Sequence, residues 1–169
     1  MVQARFLCAV LVVLMGVSGT GKTTIGQGLA EQLALPFIEG DEYHPRENVA
    51  KMAAGKPLND SDRAPWLAEL GQVLAKASTK DGCVLACSAL KERYRNTLQG
   101  ATAEAVHFVW LHGEKELLKG RLKQRAGHFF PMDLLDSQFE ALEPPINAIE
   151  LDVAKRPETL IAEALRQLR

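Results

Sequence analysis

Residues 16–23 read Gly16-Val17-Ser18-Gly19-Thr20-Gly21-Lys22-Thr23, which fits the pattern G-x-x-x-x-G-K-[ST]. The glycines let the backbone curl until successive N–H groups converge on phosphate oxygens. A helix opening at Lys22 aims the positive end of its dipole at the same point. In this arrangement Lys22 reaches the β- and γ-phosphates, and the Thr23 hydroxyl holds Mg²⁺. The pattern follows a buried strand and opens an amphipathic helix, so it predicts binding of a nucleoside triphosphate. The sequence holds no N-K-x-D or D-x-x-G motif of a GTPase and no L-S-G-G-Q-like transporter signature. The third apolar strand, CVLAC, runs into Ser88-Ala89-Leu90 without the acid of a Walker B motif. Small kinases share that omission, because Thr23, the phosphates and water can hold the cation.

A second set of polar residues falls where open α/β sheets place their ligands, at the carboxyl edge of the strands. Asp41 and His44 leave the same loop (GDEYHP) after the second strand. A carboxylate there can take the proton of an acceptor hydroxyl; the plainer reading makes Asp41 the cap of the next helix. Arg63, in NDSDRAPW, stands at a helix start where the dipole disfavours a cation, so either an anionic substrate group or simple surface exposure accounts for it. Lys91 and Arg95, four residues apart on a short helix, suit a substrate carboxylate or form a solvated face. Arg121 and Arg125 repeat that spacing ahead of Gly127-His128-Phe129-Phe130-Pro131, as a closing lid requires. Their guanidinium groups would neutralise the transferring phosphoryl oxygens while closure excludes water. His128 either contacts substrate or orients the lid, and His107 and His112 bracket a strand as structural residues.

The elements that must position these groups alternate regularly. Phe6 to Met15 reads as a buried parallel strand, followed by a helix over Lys22 to Leu33 and a short strand from Pro36 to Glu39. Helices are expected from Pro45 to Ala54, and along the stripe Trp66, Leu67, Leu70, Val73, Leu74 and Ala77. Cys83 to Cys87 is a strand, Lys91 to Leu98 a helix and Val106 to Leu111 a strand. Helices over about Glu114 to Arg125 and Met132 to Leu142, a strand from Ile149 to Val153 and a helix opening at Pro157 complete the series. Strands and helices joined by short connections predict a three-layer α/β fold, with a parallel sheet flanked by helices. One domain over 1–169 is expected, with a lid at about 121–137.

Composition agrees. The chain has 169 residues, 47% hydrophobic, with 20 Lys+Arg against 21 Asp+Glu, so its net charge is -1. Near-neutrality removes the basic surplus of a nucleic-acid binder. The ten-residue apolar run behind Arg5 is too short for a bilayer, which takes about 20 residues. No small-residue cleavage site follows it, which predicts a cytoplasmic protein without a membrane role. Cys8, Cys83 and Cys87 sit in apolar runs and read as buried thiols of a reducing compartment.

In order along the chain, LMGVSGTGKT, GDEYHP, KMAAGKPLNDSDRAPWL, CSALKERYR, RLKQRAGHFFP and QFEALEPP resemble the small bacterial-type gluconokinases, thermoresistant P-loop carbohydrate kinases. The resemblance covers nearly the whole chain. It implies Mg²⁺-dependent phosphorylation of D-gluconate by ATP at the 6-hydroxyl, a nucleoside-monophosphate-kinase-like fold with a mobile lid, and a homodimer. It places Gly16 to Thr24 on ATP and Mg²⁺ and makes Lys22, Asp41 and Arg125 catalytic. Asp41, His44, Arg63, Lys91, Arg95 and His128 fall on the acceptor side, and Arg121 and Arg125 on the nucleotide. The family usually carries a longer acidic loop after Glu143-Pro144-Pro145, near the adenine; here Ile146-Asn147-Ala148 is a short bridge. Rival readings are another small-molecule kinase of this fold, acting on shikimate or a nucleotide, and an ATP-dependent switch protein.

Overall fold

The computed structural model describes residues 8–125 and 130–168. Strand β1 (Val10–Met15) is buried at every position. Its side chains alternate between two cores, because successive residues of a strand point to opposite faces. Val10, Val12 and Leu14 pack with Ile25, Leu29 and Ala30 of helix α1 (Lys22–Leu33) and with Leu160 and Ala164 of α7 (Pro157–Gln167). Leu11, Val13 and Met15 pack with Trp66, Leu67, Leu70 and Leu74 of α3 (Asp60–Ser78) and with Tyr94 and Leu98 of α4 (Glu92–Gly100). A strand covered on both faces has no polar positions to spare, so an unbroken apolar run is its signature.

The other strands are β2 (Phe37–Glu39), β3 (Gly82–Ala86), β4 (Val106–His112) and β5 (Ile149–Asp152). They form one sheet in the order β2-β3-β1-β4-β5, with every pairing parallel. From β1 the chain crosses to the edge strand β2 and returns to β3 between the two, then crosses to β4 and β5 on the other side. The strand order therefore reverses at β1, and a crevice opens at its carboxyl end. Residues 16–23 occupy that end. Helices α2 (Arg46–Ala53), α5 (Lys115–Gln124) and α6 (Met132–Ala141) complete the layers around it.

The predicted boundaries are met closely at α1 and shift elsewhere. Strand β1 begins at Val10, while Phe6 and Leu7 lie outside the described residues. Helix α3 begins at Asp60, earlier than its apolar stripe. A reciprocal capping box starts it, with Asn59 Oδ1 accepting from the Asp62 N–H and Asp62 Oδ2 accepting from the Asn59 N–H, both at 2.8 Å. Lys91 is the extended residue ahead of α4 rather than part of it. Cys83 and Cys87 are buried, but Cys8 is exposed at the start of the described chain, so its apolar surroundings in sequence did not bury it. Burial pushes the thiols of Cys83 up to about 11 and of Cys87 up to about 12, which keeps both protonated and inert.

Candidate active site

The loop after β1 owes its shape to glycine. Gly16, Gly19 and Gly21 all take positive φ (145°, 84° and 86°), and a Cβ on Gly16 would stand 2.5 Å from the Leu111 carbonyl oxygen. Two side chains of the loop turn inward and brace it. Val17 joins the core at 3% exposure, and Thr20, at 1%, donates from Oγ1 to the Val17 carbonyl at 2.9 Å. Gly16 N–H is spent on the Ser88 carbonyl at 3.2 Å and Ser18 N–H on a side chain of α6, which leaves the later N–H groups of the loop as the working surface. Lys22 reaches across the loop and donates to the carbonyls of Gly16 and Val17, each at 3.0 Å. Burial lowers the basicity of its ammonium, opposed by the nearby charges of Asp41 and Glu39.

Thr23 Oγ1 donates to Glu39 Oε2 at 2.6 Å, joining the start of α1 to the end of β2. This pair supplies hard oxygen donors beside the loop, a set that fits Mg²⁺, which takes one or two protein oxygens and completes its shell with phosphate and water. The acid missing from β3 is thus offered by β2.

Two cavities adjoin here. One, of about 630 Å³, is lined by the loop with Thr23, Thr24, Glu39, Arg121 and Arg125. The other, of about 650 Å³, is lined by His44, Arg63 and Trp66, by α2 and by one face of α6. Ser18, Lys22, Asp41 and Phe130 line both. Asp41 sits in a single 3-10 turn over Gly40–Tyr43 with its side chain 74% exposed. It does not cap α2, whose N-cap is Pro45 without a side-chain bond, so the capping alternative falls. Gly40 is required beneath it: a Cβ there would meet the Ala86 carbonyl oxygen at 2.3 Å.

The wall of the second cavity is held by polar contacts behind it. His44 stacks on Trp66 with ring centroids 4.0 Å apart, and Trp66 Nε1 donates to the Gly40 carbonyl at 2.8 Å. Asn48 Nδ2 donates to the Asp62 carbonyl at 2.8 Å and lies 3.3 Å from His44 Nδ1, leaving Nε2 on the side of Asp41, 3.9 Å away. Burial holds His44 below the usual histidine range, which Asp41 opposes. Arg63 lies over the Tyr94 ring at 5.6 Å and donates weakly to its hydroxyl at 3.4 Å. Among the described residues no carboxylate stands within 4.0 Å of its guanidinium, so no ion pair draws it away from the cavity it lines.

Lys91 and Arg95 do not join it. Lys91 Nζ bonds Asp60 Oδ1 at 3.1 Å, in a cluster where Tyr94 and Arg93 also bond that carboxylate. Arg95 is only 7% exposed and gives its guanidinium to the carbonyls of Ala89 (2.9 Å), Leu90 (3.1 Å) and Glu143 (2.9 Å). It staples the β3–α4 connection to the chain after α6, and its donors are spent on backbone. The helical spacing of Lys91 and Arg95 implied one cleft-facing pair, but Lys91 precedes the helix and each side chain is drawn to a different partner. Three residues ahead of the 146–148 bridge, Glu143 also accepts from the Glu92 N–H at 2.7 Å, while Ile146 in the bridge is 88% exposed. Beside the phosphate loop stands the turn after β5, whose Val153 carbonyl accepts from Arg121 Nη2 at 2.6 Å. His128 lies outside the described residues.

This arrangement has known counterparts. A family model described as shikimate kinase matches residues 18–140. A gluconokinase of Gluconobacter oxydans is 45% identical over 99% of this chain and 93% of its own. The thermosensitive gluconokinase of Escherichia coli is 46% identical over 85% of this chain and 76% of its own. A crystal structure of a gluconokinase from Sinorhizobium meliloti superposes with a TM-score of 0.87 at 44% identity, covering 94% of this chain and 91% of that one. The chain belongs to the gluconokinase family. It is a P-loop kinase, and a shikimate kinase from Aquifex aeolicus shares its fold at 20% identity with a TM-score of 0.55. Among the described residues of this gluconokinase-family protein, no helix is long and apolar enough to cross a membrane.

Proposed function

We propose that the protein transfers the terminal phosphoryl group of ATP to the 6-hydroxyl of D-gluconate, giving ADP and 6-phospho-D-gluconate. The observation that carries this reading is that Lys22 and Asp41 line both cavities, one shaped by the glycine-rich loop backbone and the other lined by Arg63, a cation outside any ion pair among the described residues. Gluconate has its carboxylate at one end and its reacting hydroxyl at the other. With the hydroxyl at Asp41, the carboxylate falls to Arg63, a charge-assisted and forked contact.

In the reaction, Lys22 exchanges its two loop carbonyls for the β- and γ-phosphate oxygens. Asp41 orients the attacking hydroxyl and accepts its proton as the oxygen–phosphorus bond forms and the bond to the ADP oxygen breaks. Arg125, in the wall of the nucleotide cavity, neutralises charge on the transferring group. The loop N–H groups from Gly19 to Thr24 hold the triphosphate, Gly16, Val17 and Ser18 shape the loop that presents them, and Arg121 borders it. His44 contacts the acceptor from its stack on Trp66. Thr23 and Glu39 are the residues that would hold Mg²⁺, which would offset the negative charge of the phosphates. The segment from Arg121 to residue 137 acts as a lid over a single 1–169 domain, supported by the position of Arg125 and Phe130 on the cavities. We further propose a cytoplasmic homodimer without nucleic-acid or membrane partners, on the strength of the family resemblance and the near-neutral charge.

Phosphorus-31 NMR of the product tests the reading. A single new phosphomonoester at C6 is expected; phosphate on another carbon, or none, removes it.

A further inference from the structure

Serine 18 is joined to a residue far away in sequence. Its N–H donates to Gln138 Oε1 at 2.7 Å, and Gln138 Nε2 donates to Ser18 Oγ at 3.0 Å. A backbone N–H can only donate, so it must meet the carbonyl end of the carboxamide, and both bonds agree on one orientation of the side chain. Gln138 stands on α6, where Leu134, Ser137 and Gln138 share the face that lines the acceptor cavity, as the helical spacing requires. The helix has other means of docking: Leu135 is fully buried in the core, and Phe139 packs against it. The polar reach of Gln138 is therefore not needed to hold α6 in place. It ties the rim of the phosphate loop to the wall of the other cavity. One hydrogen on Gln138 Nε2 has no partner among the described residues, in the wall where an acceptor hydroxyl would lie.

We propose that Gln138 is a positioning residue that fixes the phosphate loop in register with the acceptor, so that the phosphoryl group passes to the acceptor hydroxyl rather than to water. The proposal rests on the reading of the second cavity as the acceptor site. A displacement of about 1 Å in a transfer geometry lowers rates by about a hundredfold, and a two-bond tie at the junction is placed to prevent it.

The test compares Gln138→Met, which keeps the length and loses both bonds, with Gln138→Glu, which still accepts from Ser18 N–H but adds a negative charge. Each is assayed for kcat, both KM values, the ratio of ADP to phosphogluconate formed, affinity for a non-hydrolysable ATP analogue, and Tm. Gln138→Met should lose about 10- to 100-fold in kcat, with the KM for ATP within about threefold, and should form more ADP than phosphogluconate. Gln138→Glu should weaken analogue binding by about tenfold or more, because it sets like charge beside the triphosphate. Wild-type kcat and a one-to-one product ratio in both variants, with only Tm displaced, would overturn the proposal. Absence of gluconate phosphorylation by the wild-type protein would instead defeat the acceptor reading, and analogue binding to Gln138→Glu would still decide the contact with the loop.

Discussion

The two cavities that meet at Lys22 and Asp41 are built by opposite means. The phosphate side is backbone: three glycines with positive φ, two inward-turned side chains that brace the loop, and a helix N-terminus. Its geometry comes from a local run of residues fixed to the central strand of the sheet. The acceptor side is made largely of side chains from the turn after β2 and from α2, α3 and α6, with His44, Arg63, Trp66 and Gln138 each meeting a partner from another element. Backbone sites tolerate little variation and serve any triphosphate. Side-chain sites can be retuned one residue at a time, which is how one scaffold hosts kinases with different acceptors.

The contrast can be broken at its shared wall first. Lys22→Met should lower kcat/KM by about 10³-fold or more with the fold retained, measured by steady-state kinetics beside circular dichroism. Retained activity would remove the phosphate assignment. Asp41→Asn should lower kcat by about 10²- to 10⁴-fold while ATP affinity changes little, because Asp41 acts on the acceptor hydroxyl.

Two arginines sharpen the comparison next. Arg63→Met should raise the KM for gluconate by about 10- to 100-fold, the loss of a charge-assisted contact, and leave the KM for ATP unchanged. Arg95→Met should do the reverse of a substrate residue. It should cost about 2–3 kcal/mol of stability in denaturant unfolding, because three carbonyls lose their donor, with KM for gluconate near wild type in the folded fraction. Equal effects on KM from both would mean that the acceptor wall extends to α4.

The smallest effect is a pH dependence. Burial lowers the His44 pKa below the ordinary value of 6.5, so the folded protein resists a proton that the unfolded chain accepts. Its contribution to stability is present above about pH 6.5 and is lost as pH falls below it, since the unfolded state then binds more protons. His44→Asn should flatten that acid-side slope in melts between about pH 5 and pH 7.5. An unchanged slope would assign it to other groups.

The same division governs what the sequence made legible. The phosphate loop and α1 were readable because their determinants are neighbours in the chain. The apolar runs of β1 and β3 revealed a sheet covered on both faces, although not its order, which depends on which strands meet. Arg95 was misplaced because periodicity reports a helix face and says nothing of the carbonyls waiting there. Glu39 was missed because the metal-side acid was sought on β3, while the structure supplies it from β2, sixteen residues from Thr23. The bond between Ser18 and Gln138 spans 120 residues, beyond any local pattern. Asn48 carried one faint signal, a polar residue four positions after His44 in a helix that must bury a face.

The central claim is that the cavity beyond Asp41 takes gluconate. The most direct measurement is ADP release from Mg·ATP with D-gluconate, run beside shikimate, glucose, AMP and no acceptor, for wild type and Asp41→Asn. Fast release with gluconate alone is expected, lowered by at least about a hundredfold in Asp41→Asn. Equal release without any acceptor, or a faster rate with shikimate, would contradict it.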